Sequence, residues 1–115
     1  MNEKFIENLY QTLVNDGRGI YEDLFNNTIV NSKTSDYWKN ALELYSGLNE
    51  ESRKVFLDVI QHTIIDSISS VFGVLDGSSS LDGEEEFDIK VYINGVDSEE
   101  ELQDSFLEYV ENNPD

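Results

Sequence analysis

The stretch Asn49–Gly77, NEESRKVFLDVIQHTIIDSISSVFGVLDG, decides how the rest of this chain must fold. Asn49 offers a side-chain oxygen as a helix N-cap, and Glu50 and Glu51 put negative charge at the positive end of the helix dipole. Leu57, Ile60, Ile64, Ile68, Val71 and Leu75 then recur at three- and four-residue steps along one face. Phe56, Ile65, Phe72 and Val74 widen that face beyond the roughly 100° stripe of a surface helix. A helix over 49–76 with neighbours on several sides is therefore expected, with Ile64 and Ile68 nearly fully buried. Asp76-Gly77 ends it, because glycine adopts the left-handed conformation past the last turn.

The remaining polar stripe holds Asp58, His62, Asp66, Ser69, Gly73 and Asp76. Asp58, His62 and Asp66 stand at i, i+4 and i+8, where a metal site or an acid–base pair can be built. The competing reading is the solvated edge of a mostly buried helix. One histidine and no cysteine in the whole chain favour that second reading, since zinc wants three or four His, Cys or carboxylate ligands. No cofactor is expected.

Working outward, the 115 residues suit one domain. Residues 3–15 place Phe5, Ile6, Leu9, Tyr10, Leu13 and Val14 on one helical face, and Asp16-Gly17 breaks the pattern. A second helix spans about 18–29. Asn31 to Thr34 is a loop, Thr34 or Ser35 caps a third helix over 36–48, and a short connection sets that helix antiparallel to the central one.

After Gly77 the texture changes. Residues 78–86 are a charged loop, and then Phe87, Ile89, Val91 and Ile93 alternate with polar neighbours, a period-two strand over 87–93. Ser78–Leu81 is its expected partner in a hairpin, with the same strand of a second copy as the alternative. Asn94-Gly95 turns the chain, and Ser98-x-x-Glu101 reads as a capping box for a last helix to about Asn112. The fold class is α+β and mostly helical: about five helices around the central one, plus one strand or small hairpin.

Asp76-x-Ser78-x-Ser80-x-Asp82 spaces oxygen ligands as a calcium loop does. Leu81 and Phe87 stand where an EF-hand needs its glycine and its glutamate, so the match fails. The chain also lacks a phosphate-binding glycine loop and any local signature of a nucleophile beside its single histidine.

Charge speaks louder. Of the formal net charge of −18, the segment 76–115 carries −13, from 14 acids against Lys90 alone. Nucleic acid and anionic membrane surfaces need a basic footprint, so direct binding to either is not expected. The 38% of hydrophobic residues includes no unbroken run of about 18, so no membrane-spanning segment is expected either. Without cysteines or a secretory leader, the expected compartment is the cytoplasm.

The segments IIDSISSVFGVLDG (64–77) and FDIKVYING (87–95), in a small acidic chain without cysteine, resemble small bacterial immunity-type proteins of polymorphic and contact-dependent toxin systems. The resemblance covers roughly residues 55–110 and carries no functional residue across. It implies a non-enzymatic inhibitor of a toxin. Charge alone points to a basic protein partner, met by Asp82, Glu84, Glu85, Glu86, Asp88, Glu99, Glu100 and Glu101. Two alternatives stay open: a nucleic-acid mimic blocking a DNA-binding protein, and a metal-binding or catalytic domain using Asp58, His62 and Asp66. A monomer is expected, with a homodimer through strand 87–93 as the alternative.

Overall fold

The structure is a computed structural model that describes residues 2–114. Helix α1 runs without a break through Glu3–Leu9, a π-helical stretch Tyr10–Asn15 and Asp16–Asn27. The break expected at Asp16-Gly17 does not occur. A glycine inside a helix costs only about 0.5–1 kcal/mol relative to alanine, less than burial of the adjoining apolar face returns. Described residues therefore form four helices, not five: α1, α2 (Asp36–Ser46), α3 (Glu50–Leu75) and α4 (Leu102–Asn112).

Helix α3 is the central helix, with its ends where the sequence places them. Asn49 Oδ1 accepts from Ser52 N at 2.8 Å, and Asp76 is the C-cap. Ser35, one of the two candidate caps, starts α2 by accepting from Trp38 N. Helices α1 and α3 lie antiparallel. Phe5 meets Phe72 near one end of the pair, Arg18 bonds Asp58 midway, and Phe25 meets Phe56 near the other.

The main core forms where α4 closes over this pair. Ile6, Tyr10 and Val14 of α1, Ile65 and Phe72 of α3, and Leu102 and Phe106 of α4 are buried together. Burial on α3 is centred on Leu57, Gln61, Ile65, Phe72 and Gly73, turned from the face that apolar periodicity suggests. Ile64 and Ile68, expected to be deeply buried, are half-buried. Periodicity counts apolar side chains all round α3, but α4 covers only one flank of it.

A second, smaller cluster sits at the other end. Phe25, Trp38, Tyr45 and Phe56 meet there at ring separations of 5.0–5.8 Å. Arg53 holds the α2–α3 junction, donating to the carbonyls of Tyr45 and Ser46 while its guanidinium lies 4.8 Å from the Tyr45 ring centre. Tyr37 and Leu44 on α2 remain exposed.

The expected strand 87–93 shrinks to Tyr92–Ile93, which pairs antiparallel with Val96–Asp97. Its partner within the chain is therefore Val96–Asp97 and not Ser78–Leu81. Asn94 and Gly95 both have positive φ, 51° and 80°, the twist that a two-residue hairpin demands. That local turn closes with the least chain entropy and wins over the longer 82–86 loop. Phe87 to Lys90 keep their alternation outside the ladder, the Val91 carbonyl accepts one further bond from Ser98 N, and Phe87 is exposed.

The chain is extended for its size. Its radius of gyration is 17.7 Å, against about 13 Å for a compact chain of this length. By length and composition alone, α3 is also long and apolar enough to cross a membrane, a test that the core helix of a soluble protein passes too. Only 17% of its most apolar 18-residue window is buried in the fold.

Candidate functional site: an acidic loop and its anchors

The acidic last third is organised by the end of α3. Asp76 is buried and points both carboxylate oxygens at the start of α4. Oδ1 accepts from Leu102 N at 3.2 Å and Oδ2 from Gln103 N at 2.7 Å. A helix begins with backbone N–H groups that have no partner inside the helix, and a carboxylate there also suits the dipole. One residue thus terminates α3 and caps α4.

This displaces the capping box read from Ser98 and Glu101. Ser98 is buried, but its backbone is what binds. Its N–H donates to the Val91 carbonyl, and its carbonyl accepts from Asn2 Nδ2 at 3.1 Å. Glu101 is the N-cap position without a side-chain bond. Glu99 and Glu100 stand in the left-handed region at φ 58° and 56°, uncommon for residues with a Cβ. Asp97 Oδ1 supports that turn by accepting from Glu99 N at 2.7 Å.

The eight carboxylates expected to meet a partner are all exposed: Asp82, Glu84, Glu85, Glu86, Asp88, Glu99, Glu100 and Glu101. They fall in two runs. Lys90, two residues beyond Asp88, reaches Glu100 at 3.5 Å and links the runs by an exposed ion pair. Beneath the first run lies a shallow cavity of about 330 Å³ between Val74, Leu81, Phe87 and Ile89, with Glu84 to Glu86 on its wall. Its lining thus mixes four apolar side chains with Ser79, Ser80 and the three glutamates.

The alternative site on α3 has a different fate. Asp58 accepts from Arg18 at 2.7 Å and from Lys54 at 3.2 Å. These bonds, Arg18's first and then Lys54's, hold its carboxyl below the ordinary carboxylate range. Arg18 also donates to the buried Gln61 Oε1 at 2.6 Å. His62 lines the same open cleft, of about 540 Å³, while Asp66 is exposed one turn on. Both oxygens of Asp58 are thus engaged by cations. Among the described residues, no three His, Cys, Asp or Glu side chains are grouped to hold a metal ion.

The calcium-like loop likewise loses its first oxygen donor, because Asp76 is occupied at α4. Ser78 Oγ bonds the Gly73 carbonyl and Gln103. Sequence reasoning missed the Arg18–Asp58 pair, whose partners lie 40 residues apart, and the capping role of Asp76 across 26 residues. The one local hint was an acid at the helix end immediately before a glycine.

No family model, curated protein or solved structure matches this chain.

Proposed function

We propose that this chain is a non-enzymatic binding protein whose acidic last third occludes a basic surface on a partner protein. The partner fits the description of a toxin, and the chain that of its immunity protein. Charge distribution carries the reading: 14 acids against one base between Asp76 and Asp115. A net charge of magnitude about 2–8 is enough to keep a small domain soluble. The excess repels itself within the folded chain, a cost that a cationic partner offsets. All eight carboxylates are exposed, and the cavity beside Glu84–Glu86 gives the contact an apolar component.

Long-range attraction would speed encounter, and shape and apolar contact would then hold the complex. The test uses the protein encoded directly upstream of this one, if that neighbour is a toxin. Association rates are measured between about 20 and 500 mM salt, where the Debye length shrinks from roughly 20 Å to 4 Å. Association should be fast at low salt and slow steeply as salt rises. Replacing Glu84, Glu85 and Glu86 by Lys, in a variant with unchanged circular dichroism, should weaken capture. Capture indifferent to both the reversal and the salt would remove the acidic loop as the working surface.

A further inference from the structure

Helices α1 and α3 have a second flank that α4 does not cover. On α1, Leu9, Leu13, Gly17, Ile20 and Leu24 recur at steps of three and four, beside the buried Ile6–Tyr10–Val14 face. On α3, Ile60, Ile64 and Val71 lie roughly 130° round from Ser69, Phe72 and Asp76, the positions that α4 occupies. The two stripes are adjacent, because a Cβ built on Gly17 would stand 3.6 Å from Ile64 Cδ1. Leu13 is 46% exposed, Ile20 60% and Val71 56%, while Leu24, Ile60 and Ile64 are half-buried. The result is an apolar groove open over about 17 Å between Leu13 and Leu24, the length of three helical turns.

Its α1 edge carries one sign of charge. Asp16 and Asp23 flank it there, both exposed. Residues 56–74 of α3 include no Lys or Arg. Arg18, the one base of α1 between Phe5 and Leu24, is turned to the opposite flank by Asp58 and Gln61. Beyond Val71, Val74 adjoins Glu84–Glu86 across the shallow cavity, so one end of the groove opens toward the acidic loop.

The accessible surface is 8349 Å². A compact 13.2 kDa protein exposes about 6,400 Å². That excess belongs to the whole extended chain, and a standard interface takes up roughly 800 Å² on each partner. A second copy of this chain is a poor occupant, since each copy would bring −18 to the contact. A helix with an apolar stripe matches the shape, and basic residues beside that stripe match the acidic α1 edge.

We propose that the groove between α1 and α3 is a docking site for a cationic amphipathic helix of about three turns, presented by a partner protein. The proposal rests on the cationic partner inferred above and names the element that partner inserts, on a surface separate from the acidic loop.

The probe is a synthetic 18-residue peptide with a leucine stripe on one helical face and lysines on the rest. A control peptide has the same composition shuffled to remove the stripe. The chain contains no cysteine, so Leu13→Cys carries a single environment-sensitive fluorophore in the groove. The striped peptide should shift the emission of this label and bind at least tenfold more tightly than the shuffled one. Leu13→Asp and Ile20→Asp change positions already about half exposed and inside the open span of the groove. With circular dichroism unchanged, each should weaken the striped peptide at least tenfold. The Glu84–Glu86 to Lys reversal should retain the preference for the striped peptide, which separates this test from that of the acidic loop.

Equal affinity for both peptides would overturn the proposal. So would binding that leaves the label silent, or binding that survives both Asp variants. Two further results would assign the groove elsewhere and overturn it as well. One is a wild-type dimer in sedimentation that Leu13→Asp dissociates. The other is a label that responds to uncharged phosphatidylcholine vesicles but not to the striped peptide.

Discussion

Asp76 joins two helices through one carboxylate, and its removal tests that join. Asp76→Ala leaves the N–H groups of Leu102 and Gln103 without their acceptor, and loss of such a cap costs about 0.5–2 kcal/mol. Urea denaturation should show that loss, whereas a change below about 0.3 kcal/mol would mean that water replaces the carboxylate at no cost. Asp58 offers a test by pH. Because its carboxyl is held below the unfolded value of 3.8, its contribution is present above that pH and disappears as pH falls through the lower folded value. Asp58→Asn should therefore be less stable than wild type at pH 7, and the difference should close as the solution is acidified past the ordinary carboxylate range. A difference that stays constant to pH 2 would remove the ionic origin. Neither role could be read from local sequence. The caps at Asn49 and Ser35 lie three residues from the N–H groups they serve, but Asp76 and Asp58 find partners that only the packed fold brings near.

At the scale of elements, two glycines should answer alanine in opposite ways. Gly19 lies inside α1 with nothing within 4 Å of a built Cβ. Gly19→Ala should raise stability by about 0.5–1 kcal/mol, because the unfolded chain loses conformational freedom and the helix loses nothing. At Gly73 the same Cβ would fall 2.8 Å from both Gln103 Nε2 and Ser79 Oγ. Gln103 is held there by its 3.0 Å bond to the Ser69 carbonyl, so Gly73→Ala must push α4 or break that bond. Overpacking of this kind costs typically about 1–3 kcal/mol. Thermal midpoints that move in the same direction for both variants would contradict this account of how α3 and α4 meet. The contrast also explains what was legible. The central helix and α2 follow from caps and periodicity, the last helix from periodicity alone, and the Asn94-Gly95 turn from turn chemistry. The unbroken α1, the two-residue strands and the rotated burial of α3 depend on which neighbour covers which face, and alternation of apolar residues does not contain that information. Of the candidate site, the exposure of all eight carboxylates follows from their chemistry, while the Lys90–Glu100 link between their two runs needed the fold.

Seen whole, the molecule keeps its two clusters apart. The main core draws on α4 and the first half of α1, and the aromatic cluster draws on α2, the end of α1 and the start of α3. Two helices connect them, and α2 touches neither α4 nor the hairpin through any ring pair described above. Native stability is seldom uniform across such a layout, and a segment held by few contacts opens at lower free energy than the rest. Trp38, the sole tryptophan, sits in the smaller cluster, whereas the far-ultraviolet signal comes from every helix. Fluorescence should therefore report a melting of one end, with a midpoint below that of circular dichroism and amide exchange fastest in α2. Coincident curves would mean that α1 and α3 transmit cooperativity along their full length, and the chain would unfold as a single unit.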